Sequence, residues 1–218
     1  MPEIPPERVH ELDPRTLRGL AHPLRVQLLN KLRADGPATA SRLAASLGES
    51  SGATSYHLRQ LASYGFIEDA PEHGKGRERW WKATYQSLLF DPKLHHDADP
   101  AVRGAANFYF HQIATLHTEE VNTFIGTMDQ WRDWDRANDL SDWTLRLTPE
   151  LATELHQQVH ALIDSYRERE VAPETEGSAQ FRMHVHAFPR ATQGAEPSES
   201  PSEPPSDSPE QSTNTDPS

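Results

Sequence analysis

The chain has 218 residues, a formal net charge of −12, an apolar fraction of 35% and no cysteine. Without cysteine, a disulfide framework, a thiolate metal site and a cysteine nucleophile are all excluded. The amino-terminal M-P-E-I-P-P-E-R-V-H lacks a secretory pattern, and no apolar run approaches the roughly 18 residues that span a bilayer, so a soluble, cytoplasmic protein is expected.

Residues 1–13 are polar and proline-rich and read as a flexible arm. Pro14 to Gly19 can form a short helix, and Pro23 suits the first turn of the next, where its missing N–H costs nothing. Leu24, Leu28 and Leu32 give that helix one apolar stripe, and Gly36-Pro37 stops it. Thr39 then stands where an N-cap belongs, ahead of Leu43, Ala44 and Leu47 at helical spacing. Gly48 is able to take the left-handed conformation that ends this helix. Ser50 is a second N-cap, and Thr54, Leu58 and Leu61 are the buried stripe of the helix that follows. Helix, tight turn, helix is the geometry that places a second helix in the DNA major groove.

The outward side of that second helix carries Ser51, Ser55, Tyr56 and Arg59. Hydroxyls and a guanidinium bond to base edges and phosphates, and a tyrosine ring packs on sugar or a thymine methyl. No carboxylate occurs between Glu49 and Glu68, so no fixed negative charge falls on this helix. The overall charge of −12 is unevenly spread: residues 14–90 hold eleven Lys/Arg and six Asp/Glu, a local balance of +5, whereas 189–218 hold one Arg and six Asp/Glu. Local charge at the contact face governs phosphate attraction.

A strand is predicted at Gly65-Phe66-Ile67-Glu68, then a glycine-rich tip at Gly74-Lys75-Gly76, then a returning strand from Arg77 to Lys82. Trp80 and Trp81 must point to opposite faces of that strand, one into the core and one over the base of the wing or an adjoining helix. Lys75, Arg77 and Arg79 are candidate minor-groove or phosphate contacts. Taken together, Ala21 to Arg25, Ser55-Tyr56-His57-Leu58-Arg59-Gln60-Leu61, Gly65-Phe66-Ile67 and the basic wing resemble the winged helix-turn-helix domain of the ArsR-like bacterial transcription regulators. The resemblance covers about residues 14–90. It implies a dimeric, repressor-type protein that binds double-stranded DNA sequence-specifically, with Thr39 joining Ser51, Ser55, Tyr56, Arg59 and the wing cations as contact residues.

Residues 91–99 read as a linker. Ala101 to Asp135 contains no proline and keeps Tyr109, Ile113, Leu116, Phe124, Met128 and Trp131 near helical spacing, so one long helix is expected. In the resembled family the helix after the wing builds the dimer interface, and these six side chains are the expected contacts. Ser141 to Thr148 alternates as a strand does; Thr148-Pro149-Glu150 starts another helix, with Leu151, Leu155, Val159, Leu162, Ile163 and Tyr166 on its apolar face; Gln180 to Phe188 alternates again. The expected fold is mainly α with small β (α+β): a flexible arm at 1–13, a winged helix-turn-helix domain at 14–90, a dimerisation or sensor region at 91–188 built from a long helix and a small β-α-β unit, and a disordered acidic Pro/Ser-rich tail at 189–218.

Among reactive side chains only histidine is enriched, with His156 and His160 four apart on one predicted helix, His117 three before Glu120, and His184 with His186 on one strand face. The plain reading is exposed histidines, so no metal ligand and no cofactor is assigned. No P-loop, dinucleotide fingerprint, H-E-x-x-H or G-x-S-x-G motif occurs, and no catalytic residue or enzyme activity is assigned. The leading function is a dimeric DNA-binding transcription regulator. Two alternatives are a winged helix used as a protein-interaction module, favoured if Arg59 and Arg77 face protein, and a ligand or metal sensor with DNA binding secondary. An apolar pocket between the long helix and the β-α-β unit would mark the small-molecule effector site of such a sensor.

Overall fold

The computed structural model describes residues 9–74, 78–85 and 87–190. The predicted tail at 191–218 and residues 1–8 of the arm lie outside the described residues. The architecture is an α+β mix in which a helix-turn-helix domain precedes a long helix. Its elements are β1 (Val9–Leu12), α1 (Pro14–Gly19), α2 (Pro23–Ala34), β2 (Ala38–Thr39), α3 (Ala40–Leu47), α4 (Ser51–Ser63), β3 (Ile67–Asp69), β4 (Trp80–Ala83), β5 (Ser87–Phe90), α5 (Pro100–Thr127) and α6 (Pro149–Arg167).

Capping residues set each helix start. The Asp13 carboxylate accepts from the backbone N–H of Thr16 at 2.6 Å while the Thr16 hydroxyl accepts from the Asp13 N–H at 2.9 Å, a reciprocal capping box that opens α1. Those bonds hold the Asp13 carboxyl below its ordinary value. His22 caps α2 through Nδ1, which accepts from the Leu24 N–H at 3.2 Å. Thr39 and Ser50 cap α3 and α4 as their positions predict, and Gly48, at φ 68°, provides the left-handed residue between them.

The core is one cluster. Leu24, Leu28 and Leu32 of α2 meet Leu58 and Leu61 of α4, Phe66 and Ile67 at β3, and Trp81 of β4. Strands β2, β4 and β3 form an antiparallel sheet in that order, so Trp81 turns into the core. Trp80 turns the other way, and the Arg42 guanidinium of α3 lies over its ring at 4.7 Å.

Four features depart from the sequence reading. First, residues 9–12 are not a free arm: β1 pairs in parallel with β5, from Val9 opposite Ser87 to Leu12 opposite Phe90, and Leu12 is buried. Second, the 91–99 linker contains a 3₁₀ turn at Pro92–His96 whose Leu94 enters the core. Third, α5 ends at Thr127 and two 3₁₀ turns replace its last eight expected residues. Its last turn carries Gly126 and no basic side chain, and Asp129 and Asp133 follow at the negative end of the helix dipole, a poor place for acids. Fourth, 141–148 and 180–188 form no strand and belong to neither sheet among the described residues. Alternation selects a face only when a partner strand supplies the ladder, and neither segment has one here.

The first half of α5 packs on α1 and α2 through Val102, Ala105, Ala106 and Tyr109. No residue of its second half or of α6 is fully buried, although Leu116 packs partly against the core. Residues 180–184 run as a strap: Gln180 Nε2 donates to the carbonyl of Ala34 at 2.6 Å, and Arg182 Nε donates to Glu120 of α5 at 3.0 Å. Residues 185–190 belong to a separate unit and are extended and exposed. Among the described residues no helix is long and apolar enough to cross a membrane.

Candidate nucleic-acid interface

The turn of α3 into α4 defines the site. Thr54, Leu58 and Leu61 are fully buried, which fixes the rotation of α4 about its axis. Positions off that stripe must therefore face out. Ser51 and Arg59 are exposed, Tyr56 is 52% exposed, and Ser55 is half-buried. Arg59 and Ser55 line an open cleft with Thr39, Ala40 and Ser41 at the start of α3 and Glu78, Arg79 and Trp81 at the wing.

Thr39 is mostly buried at the back of this cleft, and its hydroxyl accepts from the Arg42 N–H at 3.3 Å, so it orients the start of α3. Sequence reasoning missed the neighbouring Ser41 and Arg42, which are exposed at the start of α3. The signal was available: an N-cap at Thr39 leaves the next two polar residues on the open side of the first turn.

The wing is less available than its charge suggests. Arg79 clamps Asp69 across the β3–β4 pair, with Nη2 to Oδ2 at 2.7 Å, and lies 4.0 Å over the Trp81 ring. The hydrogen bond from Arg79 holds the Asp69 carboxyl below its ordinary value. Lys82 reaches Glu72 at 3.0 Å and Glu68 at 3.7 Å. These cations already have carboxylate partners, so DNA would have to compete for them. Lys75 and Arg77 lie outside the described residues.

Behind α4, the rings of His57 and His22 sit 4.1 Å apart, and His57 Nδ1 is buried. Burial first pushes both imidazoles below their ordinary value; next comes Arg25 for His22, and for His57 the neighbouring His22 and then Arg25. Neutral His22 is what its cap requires, because only an unprotonated Nδ1 accepts the Leu24 N–H.

The six expected dimer residues divide into two groups. Tyr109 is only 9% exposed and sits in the core of its own subunit, with Ile113 and Leu116 partly buried against the same cluster. Tyr109 thus contributes its ring to intrachain packing. Phe124 is half-buried, and Met128 and Trp131 are 44% and 39% exposed. The histidine groupings also resolve: His184 Nε2 lies 3.0 Å from Glu120 Oε2, and its ring stacks on His117 at 3.8 Å. Among the described residues no group of three or more His, Asp or Glu could hold a metal ion.

Two capped helices at a left-handed glycine, with a polar outer face and an antiparallel wing behind, define a helix-turn-helix domain of the DNA-binding class. Residues 20–70, from the end of α1 through β3, match the family of helix-turn-helix domains. No curated protein matches the chain.

Proposed function

We propose that this protein is a sequence-specific DNA-binding transcription regulator of the ArsR-like, repressor type, acting as a homodimer on paired half-sites. The outer face of α4 carries the reading: its buried stripe leaves Tyr56 and Arg59 exposed, and no carboxylate shares the helix. Arg59 is the base-reading or phosphate-gripping cation, Tyr56 packs on the backbone or a thymine methyl, and Ser51 and Ser55 bond to phosphate and base edges. Ser41 and Arg42 extend this face along α3. The N–H groups at the start of α4 favour a phosphate there. A dimer places two α4 helices about one DNA turn (roughly 34 Å) apart, or a multiple of it, and implies a palindromic operator.

The test is an anisotropy titration of the full-length protein against DNA from upstream of its own gene, repeated across salt concentrations. The reading predicts a saturable complex on one segment, at least about 10³-fold tighter than on scrambled DNA. Equal affinity for every duplex would refute sequence-specific regulation.

A further inference from the structure

The subunit is unevenly finished. Among the described residues of 9–124 only Tyr56, Leu89 and Phe110 are large apolar side chains left exposed, whereas exposed ones recur all along residues 125–183. Helix α6 is the clearest case. It has sound caps, with Thr148 accepting from the Leu151 N–H at 3.3 Å and Pro149 in the first turn, yet it contains no buried residue. Its apolar side chains fall on one stripe: Leu151 is 50% exposed, Leu155 43%, Leu162 62% and Tyr166 58%. Leu155, Val159, Leu162 and Tyr166 are spaced 4-3-4, the heptad spacing of helices that pair with one another. At 100° per residue, no charged side chain of α6 falls within the stripe, so matching the stripe with itself brings no like charges together.

We infer that α6 is a self-docking helix, and that a second copy of this chain covers it with its own α6. The occupant follows from the area. The four exposed side chains leave roughly 450 Å² of surface in water, given about 150–250 Å² for a fully buried large side chain. Leu145 and Leu147, exposed and leading directly into α6, raise this to roughly 650 Å². A stable interface needs about 800 Å² per partner, about 65% of it apolar in homodimers, which is roughly 500 Å². Leu145, Leu147 and α6 against their counterparts supply that amount. A two-fold contact is self-complementary by construction, which a single uncharged stripe satisfies. This inference rests on the two-copy reading above and adds the surface that holds the copies together, separate from the exposed end of α5.

Sedimentation equilibrium of the full-length protein at micromolar concentration tests it, using wild type, a Leu155→Lys/Leu162→Lys variant and a Met128→Lys/Trp131→Lys variant. Because α6 is exposed within its own subunit, the lysines at 155 and 162 should leave the subunit's melting transition in place. The expected result is a wild-type dimer whose self-association falls by about 100-fold or more in the Leu155/Leu162 variant. A Leu155/Leu162 variant that dimerises like wild type overturns the inference. If in that case the Met128/Trp131 variant dissociates, the two-copy reading survives without α6. A wild-type monomer overturns both. A Leu155/Leu162 variant that is monomeric yet binds operator like wild type upholds α6 pairing and removes the two-copy basis of DNA binding.

Discussion

Replacing Arg59 by Ala separates the two cations that line the α4–wing cleft. Arg59 is exposed, and among the described residues it has no hydrogen-bond or ion-pair partner in its own subunit. Its contact with DNA therefore displaces water alone. Arg79, on the opposite wall, is held by Asp69 and stacked on Trp81, and must give up that arrangement to reach a phosphate. A base-reading arginine is worth about 1–3 kcal/mol, a factor of roughly 5 to 150 in operator affinity. Arg59→Ala should fall in that range. An exposed ion pair is worth about 0–1 kcal/mol, so whatever Arg79 gains from phosphate is offset by a comparable loss, and Arg79→Ala should change affinity by less than about threefold. The salt dependence assigns the contact further. If Arg59 grips a phosphate, the slope of log K against log salt falls by about 0.9; if it reads a base, specificity relaxes at one position and the slope holds. Anisotropy titrations at three or more salt concentrations measure both. The reasoning fails if Arg59→Ala binds operator like wild type while Arg79→Ala loses tenfold or more.

Freeing the wing cation should act in the opposite direction: Asp69→Asn leaves Arg79 unpaired and should strengthen binding to every duplex while steepening the salt slope, read in the same assay. Leu58→Ala removes a fully buried side chain between α4 and the core, and should cost about 2–5 kcal/mol in urea unfolding, with DNA binding lost as α4 detaches. Stability should also fall with acid. His57 and His22 have folded pKa values below the ordinary 6.5, so the unfolded chain takes up protons that the fold refuses; their contribution is full above 6.5 and declines as pH drops through it. A His57→Gln variant should show a shallower loss of melting temperature between pH 7 and 5, and an unchanged pH profile would remove His57 from that role. Truncation tests how far the domain extends. A chain ending after residue 127 should keep a cooperative melt. One ending after residue 95 should not, because it strips Val102, Ala105, Ala106 and Tyr109 from the core.

The helix-turn-helix itself was legible residue by residue. Thr39, Gly48 and Ser50 are local signals whose physics acts within one turn, and the Thr54-Leu58-Leu61 stripe sets the outward face of α4 without help from distant chain. For the same reason Tyr56 and Arg59 could be singled out from their spacing alone. What required the tertiary structure was everything settled by partners far along the chain. The pairing of β1 with β5 joins residues about 78 positions apart, and no local pattern in V-H-E-L announces it. Arg79 counts as a free cation in any tally of charge until Asp69 is seen across the ladder. Thr39 was rightly placed as a cap, but whether its side chain also reached solvent depended on β4 packing beside it. Along α5, one periodic stripe met two fates: Val102, Ala105, Ala106 and Tyr109 near its start are buried, while Ile125 and Met128 at its end are exposed. Alternation at 141–148 and 180–188 specified which side chains would share a face, but a strand also needs a neighbour's backbone, and among the described residues no neighbour pairs with either segment.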